Sequence, residues 1–309
     1  MQKIRIVSRN SQLAMWQARH VEQQLRLHYP ELEVEIIGIT TEGDRILDKS
    51  LEKIGGKGLF IKELEYQLLA GTADIAVHSL KDLPANLAPE FRLAAILRRE
   101  NPCDAFVSNK FNKLEEMPEG AIIGTSSARR SAILRKSFPH LQVKLLRGNL
   151  QTRLAKLDRD EFDAIILAVA GLKRLQLEHQ IRQVLSENDF IPAIGQGVLA
   201  VEICSSKPEL DKYLQVLNDE DTYFAISAER EMGKFMNASC NIPIAGFASI
   251  IDDWLHLKAL IADPDEGKFL FAFASGNKLD YLAIGQECAQ KLINQGADKI
   301  IAKYFPTGS

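Results

Sequence analysis

Short β-type runs alternate with helix-type runs through the first two-thirds of the chain, and this alternation leaves few folds open. Lys3–Val7 reads as a strand, with Ile4 and Ile6 between charged neighbours. Ser11 is placed to cap a helix whose apolar stripe is Ala14, Ala18, Val21 and Leu25. Glu33–Ile39 predicts a second strand, Phe60, Leu64 and Leu68 a second helix, and Asp74–Val77 and Leu93–Leu97 two further strands. After Asn101-Pro102 the pattern restarts. Ala105–Val107, Ala121–Gly124, Val143–Leu146 and the apolar run Ala164–Ala170 predict strands, with helices at about 127–137 and 150–159. Val198–Ile203 predicts one more strand. Such alternation argues for parallel, doubly wound α/β sheets. We read the middle block as a domain inserted into the first through crossovers near 98–103 and 191–197, which would make a hinge over a cleft. The last third differs: a helix at 221–236, three consecutive strands at 243–250, 254–261 and 268–274, and a final helix at 279–295 predict a small α+β domain with an antiparallel sheet. The expected domains are therefore 1–98 with 198–218, the inserted 99–197, and 219–309.

Charge narrows the partners. Among 309 residues, 38 Lys and Arg face 41 Asp and Glu, a formal net charge of −3. Bulk attraction to nucleic acid or an anionic membrane is not expected, so an anion site must come from local clustering of cations. The first residues lack the apolar core of a signal peptide. The run Ala164–Ala170 is far short of the roughly 20 residues that span a bilayer, so a cytoplasmic protein is expected. Four scattered cysteines and six scattered histidines, with no CxxC or HxxxH spacing, predict neither disulfides nor a metal site.

In open α/β sheets, ligands bind beyond the carboxyl ends of the strands. Here those ends are cationic. Strand one ends in Ser8-Arg9, the 74–77 strand runs into Lys81-Asp82, the 121–124 strand into Thr125-Ser126-Ser127-Ala128-Arg129-Arg130, and the 143–146 strand into Arg147-Gly148-Asn149 with Arg153 one turn later. Arginine forks and helix N-termini hold carboxylate or phosphate. The plain alternative is that each arginine is a solvated surface residue. Repetition at one topological edge favours a small ligand with several negative charges. Asp82 is either an ion-pair partner of Lys81 or an acid that stabilises a developing cation or moves a proton. Cys240, in the loop Asn237–Pro243, is either a buried inert thiol or a functional one. Gly195-Gln196-Gly197-Val198-Leu199-Ala200 fits the loose dinucleotide pattern but precedes a strand rather than opening a helix after one, and Gly55-Gly56-Lys57-Gly58 resembles a phosphate loop only in composition, without the GxxxxGK(S/T) spacing.

Together these segments resemble the hydroxymethylbilane synthase (porphobilinogen deaminase) family over essentially the whole chain. The matching stretches are Ser8–Ser11 with Trp16-Gln17, Gly55–Phe60, His78–Pro84, Gly124–Ser127 with Arg129-Arg130, Arg147–Asn149 with Thr152-Arg153, Leu167–Leu172, Gly195–Gly197 and Cys240–Ile244. The resemblance implies three domains, the first two like a type II periplasmic binding protein. It implies a transferase that joins four porphobilinogens head to tail with loss of ammonia. It also implies a dipyrromethane cofactor held as a thioether by Cys240, and Asp82 as the catalytic acid. By the same resemblance Arg9, Arg129, Arg130, Arg147, Arg153 and Arg174 bind acetate and propionate groups. Ser11, Lys81, Thr125, Ser127 and Gln196 fall at cofactor or substrate contacts. Lys53, Lys57 and Phe60 belong to a mobile lid that includes Thr41–Gly58. The implied protein is a cytoplasmic monomer with porphobilinogen as its partner and without nucleic acid, membrane or metal.

Three positions depart from the family pattern. Ala238-Ser239 replace two glycines before Cys240, Cys103 stands where arginine is common, and Gln12 where proline is frequent. Two other classes fit the two-lobed reading: a non-catalytic anion-binding module of the periplasmic-receptor type, and a transcription regulator with such an effector domain. The first lacks an export signal, and the second a helix-turn-helix segment.

Overall fold

The computed structural model describes residues 3–41, 61–237 and 242–304. Cys240 and the residues expected to form a lid, Lys53, Lys57 and Phe60, lie outside the described residues. The chain begins β1 (Lys3–Arg9), α1 (Gln12–His28), β2 (Glu33–Ile39), α2 (Lys62–Leu69), β3 (Ile75–Ser79) and β4 (Phe91–Ile96). It continues β5 (Asp104–Val107), β6 (Ile122–Thr125), α3 (Ala128–Ser137), β7 (Gln142–Leu145), α4 (Leu150–Asp158), β8 (Ala164–Ala168), α5 (Val169–Arg174) and β9 (Gln183–Leu185). It ends β10 (Leu199–Cys204), α6 (Asp211–Leu214), α7 (Glu220–Phe235), β11 (Ile244–Ile251), β12 (Trp254–Asp263), β13 (Lys268–Asn277), α8 (Tyr281–Asn294) and α9 (Ala297–Ala302). Contacts gather these elements into two compact units, Met1–Glu100 with Gly197–Tyr223, and Asn101–Gln196 with Phe224–Ser309.

The first unit holds a five-stranded sheet of order β2-β1-β3-β10-β4. Helix α1 starts where the sequence predicts: the Ser11 hydroxyl accepts from Ala14 N, and Ala18, Val21 and Leu25 are buried beneath the helix. The second unit holds a sheet of order β7-β6-β8-β5-β9. The two orders are equivalent. Neither sheet is all-parallel, which corrects that part of the expectation. β10 runs antiparallel to β3 and β4, and β5 antiparallel to β8 and β9. Each of these two strands follows a crossover and enters its sheet from the edge where the parallel strands end, so it must run against them.

The run Ala164–Ala170 is likewise corrected. The strand stops at Ala168, and Val169 opens α5. A short apolar run is buried in either conformation, so its periodicity does not mark the boundary. In the second unit, β11-β12-β13 form an antiparallel sheet. One face packs on α8 through Ile284, Cys288 and Leu292. Ala245 and Leu260 of that sheet join a core with Phe106 and Ile166 of the mixed sheet and Ile133 of α3.

Glycine is needed where the crossing segments meet inside the first unit. Glu100 N donates to Gly197 O at 3.1 Å. Gly197 has φ +89°, and a Cβ there would collide with the Glu100 carbonyl oxygen.

A second anchor of this unit is ionic. Arg5 donates from Nε and Nη2 to the two Asp74 oxygens at 3.0 and 2.9 Å and from its backbone N at 2.9 Å; Lys207 Nζ adds a contact at 3.2 Å. Burial by itself would push the Asp74 carboxyl up, but the Arg5 and Lys207 hydrogen bonds outweigh it and hold the group below its ordinary value. A depressed folded-state pKa stabilises above the unfolded value and loses that contribution as pH falls through the folded value. Asp74→Asn is therefore expected to cost about 1–3 kcal/mol at neutral pH. The difference from wild type should close below about pH 4. Urea midpoints at the two pH values check this; an equal gap at both would contradict it.

Candidate active site

In the first unit, the carboxyl edge of β1 and β3 carries the predicted residues. Arg9 ends β1 and Ser11 caps α1. β3 runs into a single 3-10 turn, Leu80–Asp82. Its placement is strongly held. Gln17, buried on α1, donates to the Ser79 hydroxyl at 2.8 Å, and Leu80 N donates to Val198 O at 3.0 Å. Leu80 and Leu83 are buried on either side. With both leucines inward, the intervening Asp82 is exposed. Among the described residues its carboxylate forms no hydrogen bond or ion pair, so the reading of Asp82 as an ion-pair partner has no support. No local sequence signal links Gln17 to Ser79, which lie 62 residues apart.

In the second unit, the edge of β6, β7 and β8 is built from caps. Ser127 Oγ accepts from Arg130 N at the start of α3, and Ser127 N donates to the Thr125 hydroxyl. Asn149 Oδ1 accepts from Thr152 N at the start of α4. Gly148 has φ +109°, with Thr152 where a Cβ would stand. Arg153 donates from Nε to Gly148 O at 2.8 Å and from Nη2 to the Ser126 hydroxyl at 3.2 Å, which draws two of the predicted turns together. Arg147 is half-buried, and its Nε is buried without a hydrogen-bond partner among the described residues. Arg174 is buried at the end of α5.

The predicted pair Arg129 and Arg130 does not lie on the surface. The two residues are 4% and 5% exposed and turn onto a fully buried acid, Asp104. Asp104 Oδ1 accepts from Arg129 Nη2 at 3.2 Å, from Arg130 Nε and Nη2 at 3.0 and 2.6 Å, and from Gln196 Nε2 at 2.9 Å. Asp104 Oδ2 lies 2.8 Å from Arg129 Nη1. The remaining guanidinium edges donate to Ile191 O and Ile166 O. Burial would raise the Asp104 carboxyl, but the two guanidiniums hold it well below the usual carboxylate range. Among the described residues Arg129 Nε is buried without a hydrogen-bond partner. The structure thus brings Arg129, Arg130, Gln196, Thr125 and Ser127 into one bonded neighbourhood. Asp104 is not at the carboxyl end of a strand in the sequence; β5 is antiparallel and presents its first residue at that edge. Cys103, just before it, is buried with Sγ 3.9 Å from Glu187 Oε2, and burial pushes its thiol up.

Residues 4–212 match the family described as porphobilinogen deaminase, dipyromethane cofactor binding domain, and residues 223–294 match its C-terminal domain. The chain belongs to the porphobilinogen deaminase family. The porphobilinogen deaminase of Chromobacterium violaceum is 54% identical over 303 residues, 98% of each chain. That of Neisseria meningitidis serogroup B is 50% identical over 305 residues, covering 99% of this chain and 98% of its own. The cations at the two edges suit the acidic, carboxylate-bearing pyrroles this family name denotes. The buried orphan N–H groups of Arg129 and Arg147 are donors of the kind that a dipyrromethane's carboxylates would satisfy. A buried N–H left unmatched is costly, so the residues present fit the group. Among the described residues no cluster of His, Cys, Asp and Glu suits a metal, and no helix is long and apolar enough to cross a membrane.

Proposed function

We propose that this protein is a transferase that condenses four porphobilinogen molecules head to tail, releases ammonia at each step, and frees the linear tetrapyrrole hydroxymethylbilane by hydrolysis. When bound, a dipyrromethane supplies the anchored pyrrole end onto which substrate units are joined. Cys240 holds it as a thioether, and a domain formed by 219–309 carries that cysteine. Each pyrrole brings two carboxylates, so a chain of net charge −3 must concentrate cations to hold the growing product. Arg9, Arg147, Arg153 and Arg174 take acetate and propionate groups, and Arg129 and Arg130 hold cofactor carboxylates. Ser11, Lys81, Thr125, Ser127 and Gln196 supply the polar contacts. Lys53, Lys57 and Phe60 cover the site as a lid. The observation that carries the reading is Asp82: an exposed carboxylate with no partner among the described residues, on a turn fixed by two buried leucines. A fixed negative charge of this kind favours the positive charge that grows on the substrate pyrrole as ammonia departs. We infer a cytoplasmic monomer that works on this small substrate without nucleic acid or membrane.

Intact mass tests the proposal. The denatured protein is expected to be heavier than its sequence by one dipyrromethane, and Cys240→Ser to remove the excess. An unmodified Cys240 in freshly prepared, active protein would sink the assignment.

A further inference from the structure

Two buried arginines share one buried acid. Arg129 and Arg130 carry two positive charges, and Asp104 is the one carboxylate that either meets among the described residues. The cluster therefore keeps one surplus positive charge, with all three side chains almost wholly out of water. An ion pair serving only the core would be neutral, because an unpaired buried charge is strongly unfavourable. A cluster left one charge short is instead poised for an incoming anion, and the orphan Nε of Arg129 is a donor still to be matched.

We propose that Asp104 is a positioning residue: it locks Arg129, Arg130 and Gln196 into one preset array of donors and leaves a single positive charge for a carboxylate of the dipyrromethane. This rests on the function proposed above. The geometry is specific. One oxygen, Asp104 Oδ1, gathers donors from the first turn of α3 and from the segment ahead of β10. Gln196 donates from the same Nε2 to Pro102 O at 2.6 Å, which ties the array to the segment leading into β5. Two guanidiniums without that acid repel each other in a low-dielectric site and lose their common anchor. Any anion would then have to order them as it binds, which weakens capture.

The test uses the full-length protein expressed with its cofactor. Only folded protein recovered by gel filtration is scored, for the fraction of molecules heavier by one dipyrromethane and for thermal midpoint. Asp104→Asn keeps the shape and removes the charge; its loading should fall by at least about tenfold. Asp104→Glu keeps the charge and displaces it, and should fall between Asp104→Asn and wild type. Val107→Ala, a buried position on the same strand, serves as the structural control: it should lower the thermal midpoint and load as wild type. The inference is overturned if Asp104→Asn loads as wild type. Should that variant not fold, wild-type loading of Asp104→Glu overturns it instead. It is also overturned if Val107→Ala loses as much loading as the Asp104 variants for an equal drop in midpoint. A wild-type protein without added mass overturns the cofactor reading itself, and this inference with it.

Discussion

Asp82→Asn should give a folded protein that still carries its cofactor and turns over porphobilinogen at least about 100-fold more slowly. The substitution keeps the size and polarity of the side chain and removes only its charge. Leu80 and Leu83 hold the turn, while Asp82 itself is exposed and has no partner among the described residues. Its loss should therefore leave stability within about 0.5 kcal/mol of wild type, as for surface positions in general. Positive charge grows on the substrate when ammonia leaves and again when a new carbon–carbon bond forms before a proton is lost. A fixed anion favours both transition states, so the defect should appear in kcat. Asp82→Glu should retain more activity than Asp82→Asn, because the charge matters more than its exact reach. Release of ammonia and product at near wild-type rate by Asp82→Asn would show that the acid lies elsewhere.

Arg130→Leu should be the most damaging of the arginine substitutions, and for two separable reasons. The side chain supplies two donors to Asp104 and one to Ile166 O from a buried position. Removing it leaves Asp104 paired with Arg129 alone and strips two donors from its Oδ1 and one from the Ile166 carbonyl in the core, at a cost of roughly 3–5 kcal/mol. Because Asp104 has a depressed folded-state pKa, its contribution is present above the unfolded carboxylate value of about 4 and fades only as the solution becomes strongly acidic. The stability gap between Arg130→Leu and wild type should thus persist across neutral and mildly acid pH. The second effect is on cofactor loading, which should fall as well. Arg147→Leu makes the contrast: its half-buried guanidinium has an Nε with no partner to lose among the described residues, so loading should drop with a much smaller change in midpoint. Thermal melts and intact masses of the two variants separate these effects. Normal loading and turnover in Arg130→Leu would contradict the assignment.

Most of the architecture is legible in local pattern. The alternation of Ile4 and Ile6 with charged neighbours marks β1, and the stripe Ala18, Val21 and Leu25 behind Ser11 marks α1. Proline and glycine punctuation marks the crossovers. Such features arise from residues within a few positions of one another, so they need no knowledge of the fold. Strand direction is not local. The antiparallel sense of β5 and β10 follows from where the crossover delivers the chain, and the short β9, Gln183–Leu185, exists only because β5 offers it an edge. The end of β8 at Ala168 is set by packing that buries Val169 and Ala170 equally well in a helix.

The site divides in the same way. Motif residues such as Asp82, Arg129, Arg147 and Gln196 stand out in the sequence because chemistry restricts what can replace them. What each one faces is a matter of tertiary structure. Sequence places Arg129 and Arg130 at a helix start, where exposed forks would serve any anion; packing turns both inward onto Asp104. Asp104 sits 25 and 26 residues away from them in sequence, and Gln196 lies 92 residues beyond Asp104. No spacing rule links positions so far apart. Their meeting depends on β5 running against its neighbours, which carries the first residue of one strand to the edge where the others end. The sequence by itself determined which residue types were available and which short segments would form helices and strands. Only the tertiary structure decided that one buried carboxylate would serve two arginines, because charge compensation in a core depends on distance through space and not along the chain.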